Sequence, residues 1–418
     1  MPLRVSLVAF VFVACAHPAS GVRQQNPPTA ARQQTGSVVP GVEVLLRDSI
    51  HLLTGKRVGL ITNASGKDRK GTSTIDLIHR APGVKLVALF GPEHGLRGAA
   101  EAGVPIANAV DSATGVVIYS LYGETRTPSP AMLEPLDVLL YDIQDVGARV
   151  YTYQWTMVMA AAAAKKAGKP FIVLDRPNPI RADRFEGNVL DPRFASFVGY
   201  QPVPLRYGFT AGELLRYLVG RKLIDADVTV VPMDGYRRSM WWEETGIPWI
   251  NPSPNLRTMD ATVLYPGTVM FEGTNVAEGR GTEDPFRFVG ASWMTDAAAI
   301  ADELNSKALP GVRFSAATRK ITPTARKFPG ETIPMIEVTV TDRDKVSGAE
   351  VGAHMLRAIY KRHTREFTWR LPQIDRLAGT DELRKAVEQD GGVERLLAQW
   401  RRESAAFEVE ARPFLIYR

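Results

Sequence analysis

Four short apolar runs in this chain each end in a cluster of polar residues. None of the runs alternates with polar positions, which is typical of strands in a parallel sheet that is covered on both faces. Because the carboxyl ends of parallel strands lie on one edge of the sheet, we expect the polar side chains to meet in one crevice. The runs are GLITN to Asn63, VALFGPEHG with Glu93 and His94, VLLYDIQD with Asp142 and Asp145, and FIVLDRPN with Asp175.

The alternation of strand-like and helix-like segments predicts an α/β fold with a Rossmann-like, doubly wound and mostly parallel sheet over residues 41–259. After NPSPNL the pattern becomes a long loop-rich segment, ATVLYPGTVMFEGTNVAEGRGT. The predicted strands are KRVGLIT, VKLVALF, VVIYSLY, VLLYDI, FIVLD and DVTVVPM, and the predicted helices include YTYQWTMVMAAAAAKKAGK and TAGELLRYLVGRKL.

A second, smaller α+β domain is predicted over residues 260–418, where it contributes to the crevice. Its helices are TDAAAIADELNSKAL, SGAEVGAHMLRAIYKRH and two further stretches before Arg402, and its strands are VRFSAATRKI and TIPMIEVTV. The segment VEARPFLIY near the end is predicted to be a closing strand.

The first 20 residues predict an export signal, because the apolar stretch is too short to span a bilayer as a stable helix. The only cysteine, Cys15, follows this stretch, so either lipoprotein-type acylation at Cys15 or simple cleavage near Ala16 or Ser20 is possible. The intact mass of the exported protein distinguishes the two. Residues 21–40 are rich in Gln, Pro, Ala and Ser and predict a flexible linker.

Charge and motif content exclude several classes of function. The net charge is +6 over 418 residues, but Lys and Arg are scattered among almost as many acids, which argues against a nucleic-acid partner. No phosphate-binding glycine pattern and no nucleophile elbow occurs, and none of the six histidines pair at zinc-ligand spacing. We therefore expect neither a cofactor nor a metal.

The motif GPEHG at 91–95 is the sharpest candidate for chemistry. Its proline and glycines hold Glu93 and His94 at the end of a buried strand, where a carboxylic acid can serve as a general acid. The alternative is a turn in which Glu93 caps a helix or pairs with Arg97.

The motif YDIQDVGARVYTY at 141–153 supplies two further acids. Asp142 or Asp145 would be the second carboxylate that glycoside hydrolysis normally requires. Arg149 would bind an anion, and Tyr151 would stack on a sugar. The alternative is that the acids cap the following helix and the aromatic side chains belong to the core.

Two more motifs supply candidate substrate-binding residues. In LDRPNPI they are Asp175, Arg176 and Asn178, although the two prolines equally suit a structural loop. A polar loop as long as FEGTNVAEGRGT is more often functional than idle, and it could close over the crevice. Its candidates are Glu272, Asn275, Glu278 and Arg280.

Together, GPEHG, YDIQDVGARVYTY, LDRPNP, NPSPNL and EGTNVAEGRGT resemble the motifs of the NamZ-type exo-β-N-acetylmuramidases over about residues 42–418. This resemblance implies an exo-acting hydrolase that releases terminal β-1,4-linked N-acetylmuramic acid from the non-reducing end of peptidoglycan fragments. It maps the catalytic glutamate of the family onto Glu93, as general acid or acid/base. The lactyl carboxylate of the sugar would suit Arg149, Arg176 or Arg280.

One rival class is a non-catalytic exported protein that binds muropeptides or other anionic sugars in the same crevice without cleaving them. It predicts binding without product. An esterase or amidase would need an activated serine or a metal, and no arrangement of either is evident.

Overall fold

The computed structural model describes Pro2 and residues 37–93, 95, 96 and 107–418. Twelve strands are present in this part of the chain. They are β1 (Arg57–Thr62), β2 (Lys85–Gly91), β3 (Ala109–Val110), β4 (Val117–Ser120), β5 (Val138–Asp142), β6 (Phe171–Leu174), β7 (Glu186–Val189), β8 (Pro204–Arg206), β9 (Val228–Val231), β10 (Phe288–Gly290), β11 (Val312–Lys320) and β12 (Thr332–Val340).

Eleven α-helices surround these strands in the same part of the chain. They are α1 (Gly41–Asp48), α2 (Thr74–His79), α3 (Pro130–Leu133), α4 (Tyr153–Lys166), α5 (Ala211–Gly220), α6 (Met259–Thr268), α7 (Ala297–Ser306), α8 (Gly348–Arg362), α9 (Gln373–Ala378), α10 (Glu382–Glu388) and α11 (Gly392–Ala411).

The central sheet has seven strands in the order β3-β4-β2-β1-β5-β6-β9, and only the short edge strand β3 is antiparallel. This confirms the predicted fold class. Every residue of β5 and five of the six residues of β1 are buried, as expected for strands with helices on both faces.

The strand order reverses at β1, because β2 lies on one side of it and β5 on the other. Ile61 is in register with Phe90, and Thr62 with Asp142. The segments that follow β1, β2 and β5 therefore leave the sheet side by side. In open α/β sheets, ligands bind at such a switch point.

The C-terminal part contains a three-stranded antiparallel sheet in the order β10-β12-β11. Helix α6 precedes this sheet and packs closely on α8. A Cβ atom on Gly267 would lie only 1.8 Å from the carbonyl oxygen of Gly348, so glycine is required at this crossing.

Two predictions about the C-terminal half were wrong. The loop-rich segment begins with α6, whose N-cap Thr258 accepts a hydrogen bond from the amide of Ala261, and Pro266 lies only in its last turn. The predicted closing strand instead lies in α11 and a following 3₁₀ turn at Arg412–Phe414. Buried side chains recur at helical spacing in α11: Leu396, Leu397, Trp400 and Phe407.

No helix among the described residues is long and apolar enough to cross a membrane. The predicted export signal, Cys15 and most of the predicted linker lie outside the described residues.

Candidate active site

Glu93 lies just beyond the end of β2 and is largely buried, with 9% of its surface exposed. Its Oε2 atom accepts a hydrogen bond of 2.7 Å from the hydroxyl of Thr152. Thr152 is the residue directly before α4. The candidate acid is therefore held between the end of one strand and the start of a neighbouring helix. His94, the other candidate in this motif, lies outside the described residues.

Tyrosine side chains surround the Glu93 carboxylate. Burial raises the pKa of Tyr122 to about 12, and the charge of Glu93 adds to the shift. Burial also raises the pKa of Tyr151 and Tyr153, again with a contribution from Glu93. The Tyr151 ring packs edge-on against Tyr153, with 4.8 Å between centroids. These phenols stay protonated near neutral pH, and the Tyr153 hydroxyl donates to the carbonyl of Pro252 at 2.6 Å.

Tyr265 of α6 connects this site to the C-terminal part of the chain. Its ring lies 5.9 Å from that of Tyr151. Burial raises the pKa of Tyr265 well above its usual value, and the charges of Glu272 and Glu93 both add to the shift. Glu272 and Glu93 therefore act on the same phenol from the two halves of the chain.

The loop from 271 to 282 carries a network of ion pairs. Arg280 pairs with Glu272 and, through Nε, lies 3.2 Å from Oε1 of Glu278. Lys327 contacts the other oxygen of Glu278 at 2.9 Å. Burial opposes ionisation of Glu278, but these two cations outweigh it and lower its pKa. Arg280 is thus committed to two carboxylates of its own loop.

Family models match both halves of the chain. The N-terminal model of exo-β-N-acetylmuramidase NamZ matches residues 58–260, and the C-terminal model matches residues 263–417. The chain belongs to the NamZ family.

Other NamZ-like proteins resemble the chain over most of its length. It is 42% identical over 381 residues to the peptidoglycan β-N-acetylmuramidase NamZ of Bacillus subtilis, which covers 91% of each chain. The crystal structure of a DUF1343 family protein from Bacteroides fragilis matches with a TM-score of 0.85 and 36% identity, covering 91% of this chain and 99% of that one. A second DUF1343 structure from the same species has a TM-score of 0.74 and 29% identity, covering 92% and 99%.

In this NamZ family member, Asp142 and Arg176 are paired with each other. Arg176 donates two hydrogen bonds to the Asp142 carboxylate, one of them 2.8 Å from Nη2 to Oδ2. The Asp142 side chain is 0% exposed and that of Arg176 is 3% exposed. Thr74 donates to the same carboxylate, and Arg176 also donates to the carbonyl of Lys67. This closed pair favours a structural role over the predicted catalytic and substrate-binding roles.

The side chains of Arg149 and Asn275 also form hydrogen bonds to backbone groups of other segments. The buried Arg149 guanidinium donates to the carbonyls of Asn188, Val203 and Ala378 at 2.6 to 2.9 Å. The Asn275 side chain donates to the carbonyl of Glu366 at 2.8 Å and accepts from the amide of Thr368 at 2.9 Å. Both arrangements favour structural roles in this NamZ family member.

Asp175 and Asn178 stabilise the loop after β6. The buried Asp175 carboxylate accepts hydrogen bonds from the Thr210 hydroxyl, the Gly212 amide and the Tyr417 hydroxyl at 2.7 to 2.9 Å. The Asn178 amide donates to the carbonyl of Phe209 at 2.9 Å. The rigid-loop alternative fits these contacts better than direct contact with substrate.

Asp145 is buried, and neither of its carboxylate oxygens accepts a hydrogen bond from a side chain of the described residues. Burial raises its pKa to about 7, although the backbone amides of Val146 and Gly147 favour the charged form. A carboxyl group that is half protonated near neutrality is poorly suited to act as a fully ionised nucleophile.

The raised pKa makes the stability of the protein depend on the charge of Asp145. The folded protein binds this proton more tightly than the unfolded chain, so the free energy of unfolding should fall as pH rises from about 4 to about 7. Asp145→Asn should remove this contribution. Relative to wild type, the variant should gain about 3 kcal/mol between pH 5 and pH 8 in urea unfolding.

Burial also raises the pKa of Asp175, to about 6. Because Asp175 titrates in both proteins, the difference between their free energies of unfolding reports on Asp145 alone. Parallel pH profiles for the variant and the wild type would contradict the prediction.

Three residues near Glu93 were not among the predicted site residues: Tyr122, Thr152 and Tyr265. Tyr122 follows β4, so applying the strand-end rule to one more strand would have found it. Thr152 is adjacent to Tyr151 at the start of a predicted helix. Tyr265 lies within α6 and reaches the site through tertiary packing alone, so no sequence signal identifies it.

Proposed function

We propose that this protein is an exo-acting glycoside hydrolase that releases terminal β-1,4-linked N-acetylmuramic acid from the non-reducing end of peptidoglycan fragments. The observation that carries the proposal is the position of the GPEHG glutamate in a member of the NamZ family. Glu93 lies at the carboxyl edge of the sheet, hydrogen-bonded to Thr152 and surrounded by protonated tyrosines. The 42% identical relative carries the name of this activity.

Glu93 acts as the general acid, or acid/base. Its proton goes to the glycosidic oxygen as the bond to the anomeric carbon breaks, so the remaining saccharide leaves as an alcohol. The hydrogen bond from Thr152 fixes the Oε2 atom of this carboxyl group at the end of β2. His94 follows Glu93 directly in the sequence and is assigned to orienting the substrate.

Glu272 is the second carboxylate whose charge acts on Tyr265. The charges of Glu272 and Glu93 both reach this phenol, whereas Asp142 is closed off by Arg176 and Asp145 is buried. Glu272 therefore suits the second carboxylate role, either activating water or stabilising the positive charge that develops on the sugar. Arg280 holds it in place.

The protein is exported, which brings it to its polymeric substrate. The apolar segment before Cys15 supports export, and acylation of Cys15 would add a lipid anchor. A mass for the exported protein that corresponds to the uncleaved chain would contradict the proposal.

The direct test is incubation with a defined disaccharide whose non-reducing sugar is N-acetylmuramic acid. We expect release of free N-acetylmuramic acid and N-acetylglucosamine, detected by mass spectrometry. A disaccharide with the two sugars in the reverse order should stay intact, because an exo-acting muramidase cleaves only after a non-reducing terminal N-acetylmuramic acid. Binding without any product would favour the non-catalytic alternative.

A further inference from the structure

A cavity opens at the switch point between β1 and β5. The space between its lining residues is about 330 Å³, a volume that includes open solvent at its mouth. Its wall combines the loop after β1, the start of the loop after β5 and an apolar stretch from 247 to 250. Neither the family comparison nor the proposed role of Glu93 assigns anything to this cavity.

Two buried side chains in its wall each have a polar atom without a hydrogen-bond partner. Gln144 is 2% exposed, and its amide nitrogen donates to the carbonyls of Asp145 and Pro177 at 2.8 and 2.7 Å. These bonds fix the side-chain amide and leave its Oε1 atom without a hydrogen-bond partner among the described residues. The indole nitrogen of Trp242, a side chain that is 4% exposed, also lacks a partner there. Buried polar groups are normally paired with protein, water or ligand, so this acceptor and donor leave two hydrogen bonds to be made by molecules bound in the cavity.

Lys67 also lines the cavity. The ammonium group of Lys67 has no hydrogen-bond or ion-pair partner within the described ranges, whereas its backbone carbonyl accepts from Arg176. Two other charged residues of the wall are committed elsewhere: Oδ1 of Asp68 accepts the amides of Lys70 and Thr72, and Arg176 is paired with Asp142. The lysine is therefore the charge in this wall that is available to a ligand, and an anion is its complement.

A chain of contacts joins the cavity to the Glu93 site. The Ser65 hydroxyl accepts a hydrogen bond from the backbone N–H of Gln144 at 2.9 Å and donates one to Oδ1 of Asn63 at 2.6 Å. Asn63 in turn hydrogen-bonds to Tyr153, whose pKa the charge of Glu93 helps to raise. The cavity and the Glu93 site are thus linked by hydrogen bonds that run through Asn63 and Ser65.

We propose that this cavity binds the carboxylate-bearing substituent on C3 of the muramic sugar while the C1 oxygen lies at Glu93. The inference rests on the proposed function. Lys67 binds the carboxylate, Gln144 accepts an N–H or O–H from the substrate, Trp242 donates to a substrate oxygen, and the apolar stretch contacts the methyl group. The carboxylate is either that of the lactyl group or one from a peptide attached to it.

The test compares a chromogenic N-acetylmuramide with its lactyl carboxamide, which lacks only the negative charge. Wild type should prefer the carboxylate by roughly 10- to 100-fold in kcat/KM, the size of a charge-assisted hydrogen bond. Lys67→Met should lose this preference and hydrolyse the carboxamide at the wild-type rate. Lys70→Met is the matched control, because it removes the same charge from the same loop outside the cavity, and it should behave as wild type.

A third substrate, with a dipeptide on the lactyl group, identifies the source of the carboxylate. If Lys67→Met lowers kcat/KM for the peptide-free muramide, Lys67 binds the lactyl carboxylate. If it lowers kcat/KM only for the peptide-bearing substrate, Lys67 binds a carboxylate of the peptide. No penalty on either would overturn the proposal.

If the wild type turns over none of the substrates, the proposed function fails. The cavity is then tested by calorimetry with free N-acetylmuramic acid and N-acetylglucosamine. Tighter binding of the former that Lys67→Met abolishes supports the carboxylate site, and equal binding by the two proteins overturns it.

Discussion

Glu93→Gln is expected to lower the release of a chromogenic N-acetylmuramide by about 10²- to 10⁴-fold, the usual contribution of a general acid. Glutamine has almost the same shape and can still accept the hydrogen bond from Thr152, so the loss should come from the missing proton. The effect should fall on kcat more than on KM, because proton transfer occurs in the transition state. Steady-state kinetics at several pH values measures it.

The control for this variant is its stability. Its urea unfolding midpoint should match that of the wild type, since the change leaves the packing around Thr152 intact. A variant that keeps more than about a tenth of wild-type turnover would contradict a general-acid role. Glu272→Gln, measured in the same assay, should also lose activity, and wild-type rates for it would contradict its assignment as the second carboxylate.

Arg176→Met is expected to destabilise the protein by about 3–5 kcal/mol, because it leaves the Asp142 carboxylate buried without its cation. Asp142 is 0% exposed, and Thr74 would be its remaining side-chain donor among the described residues. The pair also joins the end of β5 to the loops after β6 and β1, through the bond from Arg176 to the Lys67 carbonyl. Chemical unfolding at neutral pH measures the loss.

Arg57→Met provides the matched control. Arg57 also makes a two-point contact with an aspartate, Asp137, but the two side chains are 48% and 37% exposed. Its removal should cost far less than the removal of Arg176, because solvent screens the exposed pair. Combining Arg176→Met with Asp142→Asn should cost less than the sum of the two single changes, since the second removes the unpaired charge. Similar losses for Arg57→Met and Arg176→Met would contradict the argument from burial.

The C-terminal region shows where sequence periodicity misleads. VEARPFLIY contains enough apolar residues to predict a strand, yet its first three residues form the end of α11 and the next three form a 3₁₀ turn. The segment that forms α6 contains Gly267 and Pro266, which lower its intrinsic helix propensity, and close packing against α8 overrides that preference.

The sequence by itself determined the parallel sheet and the crevice at its carboxyl edge. Strands without polar alternation are typical of a parallel sheet that is covered on both faces, and the carboxyl ends of parallel strands share one edge. The motif GPEHG at one of these ends also identified Glu93 as the candidate acid.

Only the tertiary structure decided which polar strand-end residues face the site. Asp142 and Arg176 have the residue types of catalytic and binding groups, but each is the other's partner in the fold, which sequence spacing does not reveal. Conversely, Tyr265, Lys67 and the unpaired Oε1 of Gln144 have no distinctive sequence pattern. Their roles depend on burial and on which partners are absent, and both are properties of packing between segments distant in the chain.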